Sequence, residues 1–542
     1  RGHRAEVGWT RNFSAKLINN FRTVLNRNRY RMMPFFAFGR DVAGELGIAG
    51  TSRDPANFGP PNLRFTNFGD LNDGVPVLRR DQTFSLNDSL SWVHGRHTFS
   101  FGGEFRRIHL DNSTDPSGRG SFSFSGLATS ALDNSGQPLG NTGFDFADFL
   151  LGRPQSSSVR FGLRDTYFRS TEYSAFVNDE FRVKPNLTLS LGLRYEYFSP
   201  LSEKNGHLSN LDIAPDFTGV SRVTPSVAGV YSGAFPSALI EPDRNNLAPR
   251  LGMAWKPSGK SKLQVRAGYS WYYNGGVFGN FAPRLAAQPP FAQSGNLSTS
   301  INNPLSLADG FSTAATSDKI TNTYAVDRSY LVGYAQTWNF AVQKELPQAL
   351  VLEVGYIGTK GTRLDLQRMP NRAAPGSPLT SEERRRIGNA TGFTWDSAEG
   401  NSIYHGAQVR LTRRFKSGLS SNALYTWSKS IDNASNMGGG GNVVAQNDRD
   451  LRSERGLSSF DRRHSLNLSF FYASLVGGKG SRIHPQSFAG RLLASWSMGG
   501  GIAILGGTPL TARVLGNRAD SGGTGVVGSG RADATGDSIG GD

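Results

Sequence analysis

Eight histidines, no cysteine and scattered acids set the scope for chemistry in this chain. His94 and His97 have the HxxH spacing of a metal pair, but they flank a tight turn, VHGRH, with no nearby acidic third ligand expected. A solvent-exposed turn is the expected reading. Asp461 and His464 stand in DRRH at the head of a strand pattern, and no nucleophile accompanies them to make a triad. Gly523, Gly525 and Gly528 satisfy GxGxxG, which cradles a pyrophosphate only between a strand and a helix. The next residues, SGRADATGD, have no helical period, so a Gly-rich loop is expected there, as at Gly438–Gly441. The expectation is no enzyme, no metal and no cofactor.

The elements that would carry such residues are strands. In LTLSLGLRYEYF, Leu187, Leu189, Leu191, Leu193, Tyr195 and Tyr197 alternate with Thr188, Ser190, Gly192, Arg194 and Glu196. Strict period-2 alternation gives a strand with one apolar and one polar face. The pattern recurs. Phe84, Leu86, Leu90 and Trp92 share a face interrupted by Asp88, and Phe99, Phe101, Gly103 and Phe105 come after the VHGRH turn. Leu251, Met253 and Trp255 lead through KPSGKS to Leu263, Val265, Ala267, Tyr269 and Trp271. Trp338, Phe340 and Val342 lead to Leu350, Leu352, Val354 and Tyr356. Ala407, Val409 and Leu411 lead to Ala423, Tyr425 and Trp427. Leu466, Leu468, Phe470 and Tyr472 are expected to pair with Leu492, Ala494, Trp496 and Met498. A less regular pair lies near the start, and 157–183 is read as one long strand. In FDFADFLLGRP, Phe146, Phe149 and Leu150 are spaced for a short helix stopped by Gly152 and Pro154. It would sit in a long loop, anchored by its apolar residues or folded over a barrel mouth.

Composition decides between a soluble sandwich and a membrane barrel. The 542 residues are only 37% hydrophobic, with 66 Gly and 26 Pro, and mean hydropathy is −0.39. No run approaches the ~18 apolar residues of a membrane helix. A transmembrane β-barrel hides its hydropathy, because alternate residues face a polar lumen. The strands number about 14, and short turns alternate with long loops, as in outer-membrane barrels. Loops longer than about 15 residues are uncommon in compact soluble domains. Aromatics gather near strand ends as a candidate girdle: Tyr195, Tyr197, Trp255, Tyr269, Trp271, Tyr425 and Trp427. Leu187, Leu189, Leu191 and Leu193 are then candidate lipid-facing residues. Glu104, Arg106, Arg194, Glu196, Arg266, Glu353 and Arg410 are candidate lumen-lining residues, which would guide substrate, meet a plug or pair across strands. Net charge is +16. Its carriers are dispersed and include their own acids, as in Glu382–Arg386, so an anionic membrane surface is expected and nucleic acid is not.

Seven phrases occur in order: FADFLLGRP, YSAFVNDEFRVKPNLTLSLGLRYEYFSP, NNLAPRLGMAWKP, VGYIGTKGTRL, LYTWSKSIDNAS, FDRRHSLNLSFFY and GGTPLT. Together they resemble the barrel of TonB-dependent outer-membrane transporters, in the Oar-like branch common in Acidobacteria and related Gram-negative bacteria. The resemblance covers about residues 80–542, with weaker similarity at 1–30. It implies a plugged barrel of about 22 strands, of which this chain would supply about 14, in the outer membrane of a Gram-negative bacterium. It further implies energy-coupled uptake of a scarce chelated metal, oligosaccharide or peptide. The implied partners are outer-membrane lipid, lipopolysaccharide, the TonB complex and a small-molecule or oligomeric substrate. The expected layout is an N-terminal hairpin at 1–30, barrel hairpins over 81–505 and a polar Gly-rich loop over 506–542. The plug and the carboxypeptidase-regulatory-like domain of such proteins have no counterpart in the sequence. Two other classes stay open: a structural or adhesion barrel presenting basic loops, and a soluble multi-sheet binding protein.

Overall fold

The computed structural model describes residues 1–510 except 135–137, 140–141, 259–261, 301–302, 312–318, 374–377, 381–382, 434–444, 446–447, 449, 475–487, 489–491 and 493–495. The GxGxxG motif and Gly438–Gly441 lie outside the described residues, as do 511–542 of the expected Gly-rich loop. Fourteen long strands make up the main sheet: β1 Gly2–Ser14, β2 Leu17–Met32, β3 Val77–His94, β4 His97–Ser113, β5 Asp165–Lys184, β6 Leu187–Phe198, β7 Asn246–Trp255, β8 Leu263–Tyr273, β9 Tyr334–Leu346, β10 Leu350–Arg368, β11 Thr394–Lys416, β12 Leu419–Asp432, β13 His464–Ala473 and β14 Ser497–Leu505. Each pairs antiparallel with the next in chain order, from β1–β2 through β13–β14. Among the described residues β1 and β14 do not pair with each other, so the sheet does not close. Three short strands, Ser202–Glu203, Tyr324–Val326 and Gly456–Leu457, complete a 17-stranded sheet.

Because the order is a simple meander, connections alternate between the two ends of the sheet: six long ones leave from one end, and the β13–β14 connection, 474–496, is the long one at the other. The six are 33–76, 114–164, 199–245, 274–333, 369–393 and 433–463. Tight turns such as Gly95–Arg96, with Gly95 at φ +59°, close the other end.

The hydrophobic core is in the long loops rather than between strands. Phe278, Phe281 and Leu285 of the helix Phe278–Ala286 pack with Leu208, Leu239, Tyr324 and Tyr330, all fully or nearly fully buried. A second cluster joins Leu211 and Val220 to Ile387 and Phe393, and a third joins Phe122 and Phe124 to Val159 and Phe311. Side-chain amides stitch loops together by standing in for backbone. Asn210 donates to Val326 O and accepts from Val326 N, at 2.8 and 3.0 Å. Gln288 does the same for Tyr324, at 3.0 and 3.2 Å. Each amide is buried, so these bonds satisfy groups that water cannot reach.

Three expectations need correction. Segment 157–183 is not one strand: Ser156–Phe161 joins a separate four-stranded sheet, and β5 begins only at Asp165. The break falls at Gly162, whose φ of +125° suits glycine and whose N–H bonds Asp115 Oδ1 at 2.8 Å. The partner of β13 is not the Leu492–Met498 pattern but β14, which pairs Tyr472 with Met498 and Leu466 with Ile504. Leu492 and Trp496 precede β14, Ala494 lies outside the described residues, and the apolar alternation within β14 runs from Met498 to Ile502 and Ile504. The expected helix forms, at Asp145–Leu150, and ends where Gly152 turns left-handed at φ +67°. Its apolar residues are not its main anchor: Leu150 is 71% exposed, while Asp145 and Asp148 are wholly buried. Asp145 accepts from Asn67 N at 2.5 Å, and Asp148 accepts from Thr129 N and Oγ1 at 2.9 and 2.8 Å. Of the apolar trio, Phe149 packs inward, 5.5 Å from Phe124 and 5.7 Å from Phe65 between ring centroids, and the more exposed Phe146 lies 5.6 Å from Phe68.

Candidate functional site

Registers place the charged candidates on one face and the leucines on the other. Glu104 and Arg106 of β4 stand opposite Ser174 and Glu172 of β5. Arg194 and Glu196 of β6 stand opposite Phe176 and Ser174. All share the polar face, because residues two apart on a strand point the same way. The result is a chain of alternating charge across three strands. Glu172 Oε2 meets Arg106 Nη1 at 2.8 Å, and Arg106 Nε meets Glu104 Oε1 at 3.7 Å. Arg194 Nη2 is 3.9 Å from Glu104 Oε2, and its Nε is 2.8 Å from Glu196 Oε1. Arg194 also donates to Ser174 Oγ at 2.7 Å.

Of the seven polar-face candidates, four therefore meet in one network. Glu353 and Arg410 form a separate pair at 3.9 Å between β10 and β11. Arg266 stands apart and donates to Gln264 Oε1 at 3.1 Å. Glu172 is the member that sequence reasoning missed, because a single strand over 157–183 carries no assignment of faces. The register signal is present: Glu172 alternates with Tyr173, Ala175 and Val177 on the apolar side.

Beside the network, the polar face dips into a groove of about 560 Å³. Its floor is made of small residues in one cross-strand row, Ser190, Gly252 and Gly268, which runs on to Asn339. A Cβ on Gly252 would come 3.3 Å from Ser190 Cβ. Arg250, whose guanidinium lies 5.5 Å from the Tyr272 ring, flanks the groove with Asn178. The arrangement offers donors, acceptors and a cation to a polar solute.

At the long-loop end, buried polar groups converge above the sheet. Asp396 accepts from Gln367 Nε2 at 3.1 Å, from Arg284 Nη1 at 3.5 Å and from the Tyr324 hydroxyl. The Arg284 guanidinium lies 3.6 Å from the Tyr324 ring centroid, a cation–π contact in a dry setting. Tyr330 Oη donates to Asp365 at 3.3 Å. Burial and the nearby carboxylates push both tyrosine hydroxyls up, which keeps them protonated as donors.

The opposite, apolar face carries Leu187, Leu189, Leu191 and Leu193 in register with Trp255, Met253, Leu251 and Pro249 of β7. Aromatics bracket these rows. Tyr195, Tyr197, Tyr269, Trp271, Tyr425 and Trp427 stand toward the long-loop ends of their strands, and Trp255 at the turn end of β7. Tyr197 stacks on Tyr173 at 4.7 Å and Trp271 on Tyr334 at 4.8 Å. From Leu187 to Tyr197 the strand rises ~33 Å. Tilted ~45°, that is ~23 Å, close to the ~25 Å apolar band of an outer-membrane barrel.

The two histidine motifs separate. His97 Nδ1 lies 2.7 Å from Asp179 Oδ2 and its ring stacks on Phe181 at 4.2 Å. An acid that is remote in sequence is therefore adjacent in space, contrary to the expectation. Even so, no group of three His, Cys, Asp or Glu residues forms a metal cluster among the described residues. Asp461 accepts from Ser430 N at 2.6 Å, whereas His464 pairs with Tyr425 Oη at 2.8 Å. The DRRH motif thus fastens the entry of β13 to β12.

Comparison with solved structures returns outer-membrane proteins. The outer membrane transporter YddB from Escherichia coli is 10% identical, with TM-score 0.45, covering 93% of this chain and 55% of that one. The pyoverdine outer membrane receptor FpvA from Pseudomonas aeruginosa is 12% identical, with TM-score 0.44, covering 96% and 52%. The FrpB iron transporter from Neisseria meningitidis, as apoprotein, is 10% identical, with TM-score 0.39, covering 93% and 56%. The chain spans about half the length of the solved proteins it matches. No curated protein matches it. The family model described as "Outer membrane beta barrel domain" matches residues 1–541. The antiparallel meander, with its apolar and polar faces, accords with that match, and this chain belongs to the outer membrane β-barrel domain family, placed in the outer membrane of Gram-negative bacteria.

Proposed function

We propose that this chain is the barrel of a TonB-dependent receptor that takes up a scarce solute across the outer membrane. The observation that supports it best is the charge chain Glu172–Arg106–Glu104–Arg194–Glu196, which lies on the face opposite the leucines and below a packed loop layer. A barrel serving only as an anchor has no need for a dense inner network and a grooved inner wall. In this reading the tight turns face the periplasm and the loop layer faces outward, where binding residues concentrate. Leu187, Leu189, Leu191 and Leu193 meet lipid. Glu104, Arg106, Arg194, Glu196, Arg266, Glu353 and Arg410 line the lumen and meet solute or plug. Tyr195, Tyr197, Tyr269, Trp271, Tyr425 and Trp427 mark the outer interface and Trp255 the inner one. The phrase-by-phrase resemblance to TonB-dependent transporters supplies the energy-coupling half of the reading. Chelated metals, oligosaccharides and peptides all fit a polar groove flanked by arginine.

The test is uptake of labelled members of those three classes by cells expressing the full-length gene, with and without TonB. Uptake that needs both the gene and TonB supports the proposal. Surface binding or adhesion unchanged by loss of TonB would establish the anchor reading instead.

A further inference from the structure

The groove on the polar face carries charge of both signs. Three charged residues line it, Asp179, Glu180 and Arg250. Asp179 is already engaged, because its carboxylate meets His97 Nδ1 at 2.7 Å on the apolar face. Glu180 and Arg250 stand on the groove side, since they alternate with the apolar residues of β5 and β7. Both are exposed, and among the described residues neither forms an ion pair or a side-chain hydrogen bond. Arg250 only rests near the Tyr272 ring, 5.5 Å from its centroid. The Asn178 carboxamide, on the same wall, also has no hydrogen-bond partner among the described residues.

Register fixes the spacing of the two free charges. Glu180 stands opposite Ser190, and Ser190 opposite Gly252. Arg250 lies two residues from Gly252 along β7, toward the long loops. At ~4.8 Å per strand and ~3.4 Å per residue, the Glu180 and Arg250 Cα atoms are about 12 Å apart. Strand side chains stand roughly perpendicular to the sheet, so the charged heads rise about as far apart. Little stands between them. Ser190, Gly192 and Gly252 form the floor, and Asn178 Oδ1 fills the space that a Cβ on Gly192 would take. Glycine at 192 is therefore what lets the Asn178 carboxamide lie in the middle of the groove.

The geometry points to a subsite for a short peptide with free ends, its carboxylate on Arg250, its amino group on Glu180 and its amide on Asn178. A cation and an anion facing one groove, neither neutralised by the protein, favour a solute that brings both charges. A hydrogen bond of ~2.9 Å at each end leaves about 6 Å between the solute's charged ends. That is close to two residues of extended chain at ~3.5 Å each. A carboxamide offers both a donor and an acceptor, which matches a peptide bond between those ends. An oligosaccharide would leave both charges unpaired, and an anionic metal chelate would meet Glu180 as a like charge. The subsite rests on the polar face being the lumen wall of an uptake barrel, and it narrows three solute classes to one.

The test is calorimetric titration of the detergent-solubilised full-length protein with alanyl-alanine, its N-acetyl form, its C-terminal amide and maltotriose. Alanyl-alanine should bind, and each blocked form should bind about fivefold more weakly, the scale of one solvent-screened ion pair. Maltotriose should not bind measurably. R250Q should lose about fivefold for alanyl-alanine and no longer distinguish it from its amide. E180Q should lose as much and no longer distinguish it from its N-acetyl form. A purely structural role for either residue would not erase one preference and keep the other. Heat-resistant gel mobility checks that each variant is folded; if one is not, R250A or E180A is read in its place. No binding of alanyl-alanine, equal binding of free and blocked forms, maltotriose binding as tightly, or folded variants that keep both preferences would each overturn the subsite. Titration does not involve TonB, so peptide binding combined with TonB-independent uptake would overturn the receptor reading and keep the subsite.

Discussion

His97 and Asp179 lie 2.7 Å apart on the apolar face of the sheet, with Asp179 directly opposite Leu191 on one side and Phe99 on the other. A carboxylate on that face needs its partner: Asp179 Oδ1 is buried with no hydrogen bond among the described residues. His97→Phe alone should destabilise the barrel by about 1 kcal/mol, the scale for a charge near the membrane interface. His97→Phe with Asp179→Leu should recover most of that loss. Urea unfolding from liposomes, read as a double-mutant cycle, checks the coupling. Zero coupling would mean the pair is incidental.

Leu191 is 47% exposed on the apolar face, while its neighbour Ser190 borders the polar groove. Leu191→Arg should cost about 2–4 kcal/mol in the bilayer and block assembly. Ser190→Arg should assemble normally and change solute passage. Outer-membrane fractionation of the two variants decides the matter, and equal tolerance would show that the apolar face does not meet lipid.

Arg106 holds both Glu172 and Glu104 on the polar face. It is 41% exposed, so solvent screening limits its share of stability to about 0–1 kcal/mol. Arg106→Ala should therefore leave assembly intact and reduce uptake of the solute. Assembly loss without any change in uptake per folded barrel would assign the network to sheet stability alone.

Asp148 holds the segment around 128–129 through Thr129 and Ala128. Asp148→Ala removes hydrogen bonds from a charged acceptor to half-buried or exposed donors, at about 1.5–3 kcal/mol. The loop should then become a site of protease nicking on intact cells, while Leu150→Ala, at an exposed position, should not. Mapping cleavage fragments by mass spectrometry tests both.

Burial raises the carboxyls of Asp115, Asp327 and Asp448 in the loop layer, against the pull of Gly162 N, Ser329 N and Arg368 respectively. A carboxyl raised on folding binds its proton more tightly in the folded loop than in the unfolded chain. Its stabilisation is therefore complete below the ordinary Asp value of 3.8 and fades as pH rises through the raised value. Hydrogen exchange in the loop layer, corrected for intrinsic rate, should show protection falling over that window. Asp448→Asn should flatten the dependence near residue 448. Protection that rises with pH would contradict the assignment.

Much of the sheet was legible because strand patterning is local. The alternation in 187–197 placed Arg194 and Glu196 opposite the leucines, and the register agrees. Reading failed where the pattern is interrupted by tertiary partners. Ser156–Phe161 alternates well enough to pass for the start of β5, yet it pairs with Gln293–Ser298 from another loop. In FDFADFLL the apolar spacing gave the helix but no role for its acids, Asp145 and Asp148. They are buried because backbone N–H groups from Asn67 and Thr129 reach them, and no spacing within the helix reveals that.

By itself, the sequence determined the strand type, the division into apolar and polar faces and the alternation of tight turns with long loops. These come from a period of two residues and from where glycine and proline stand. Only the tertiary structure decided which charges meet, as Glu172 joins Arg106 and Arg194 joins Glu104, and that the true core lies in the loops. The physical reason is that cross-strand neighbours and loop contacts join residues tens to more than a hundred positions apart, as with Asn210 and Val326. Such contacts depend on register and closure, which a single strand's periodicity does not encode.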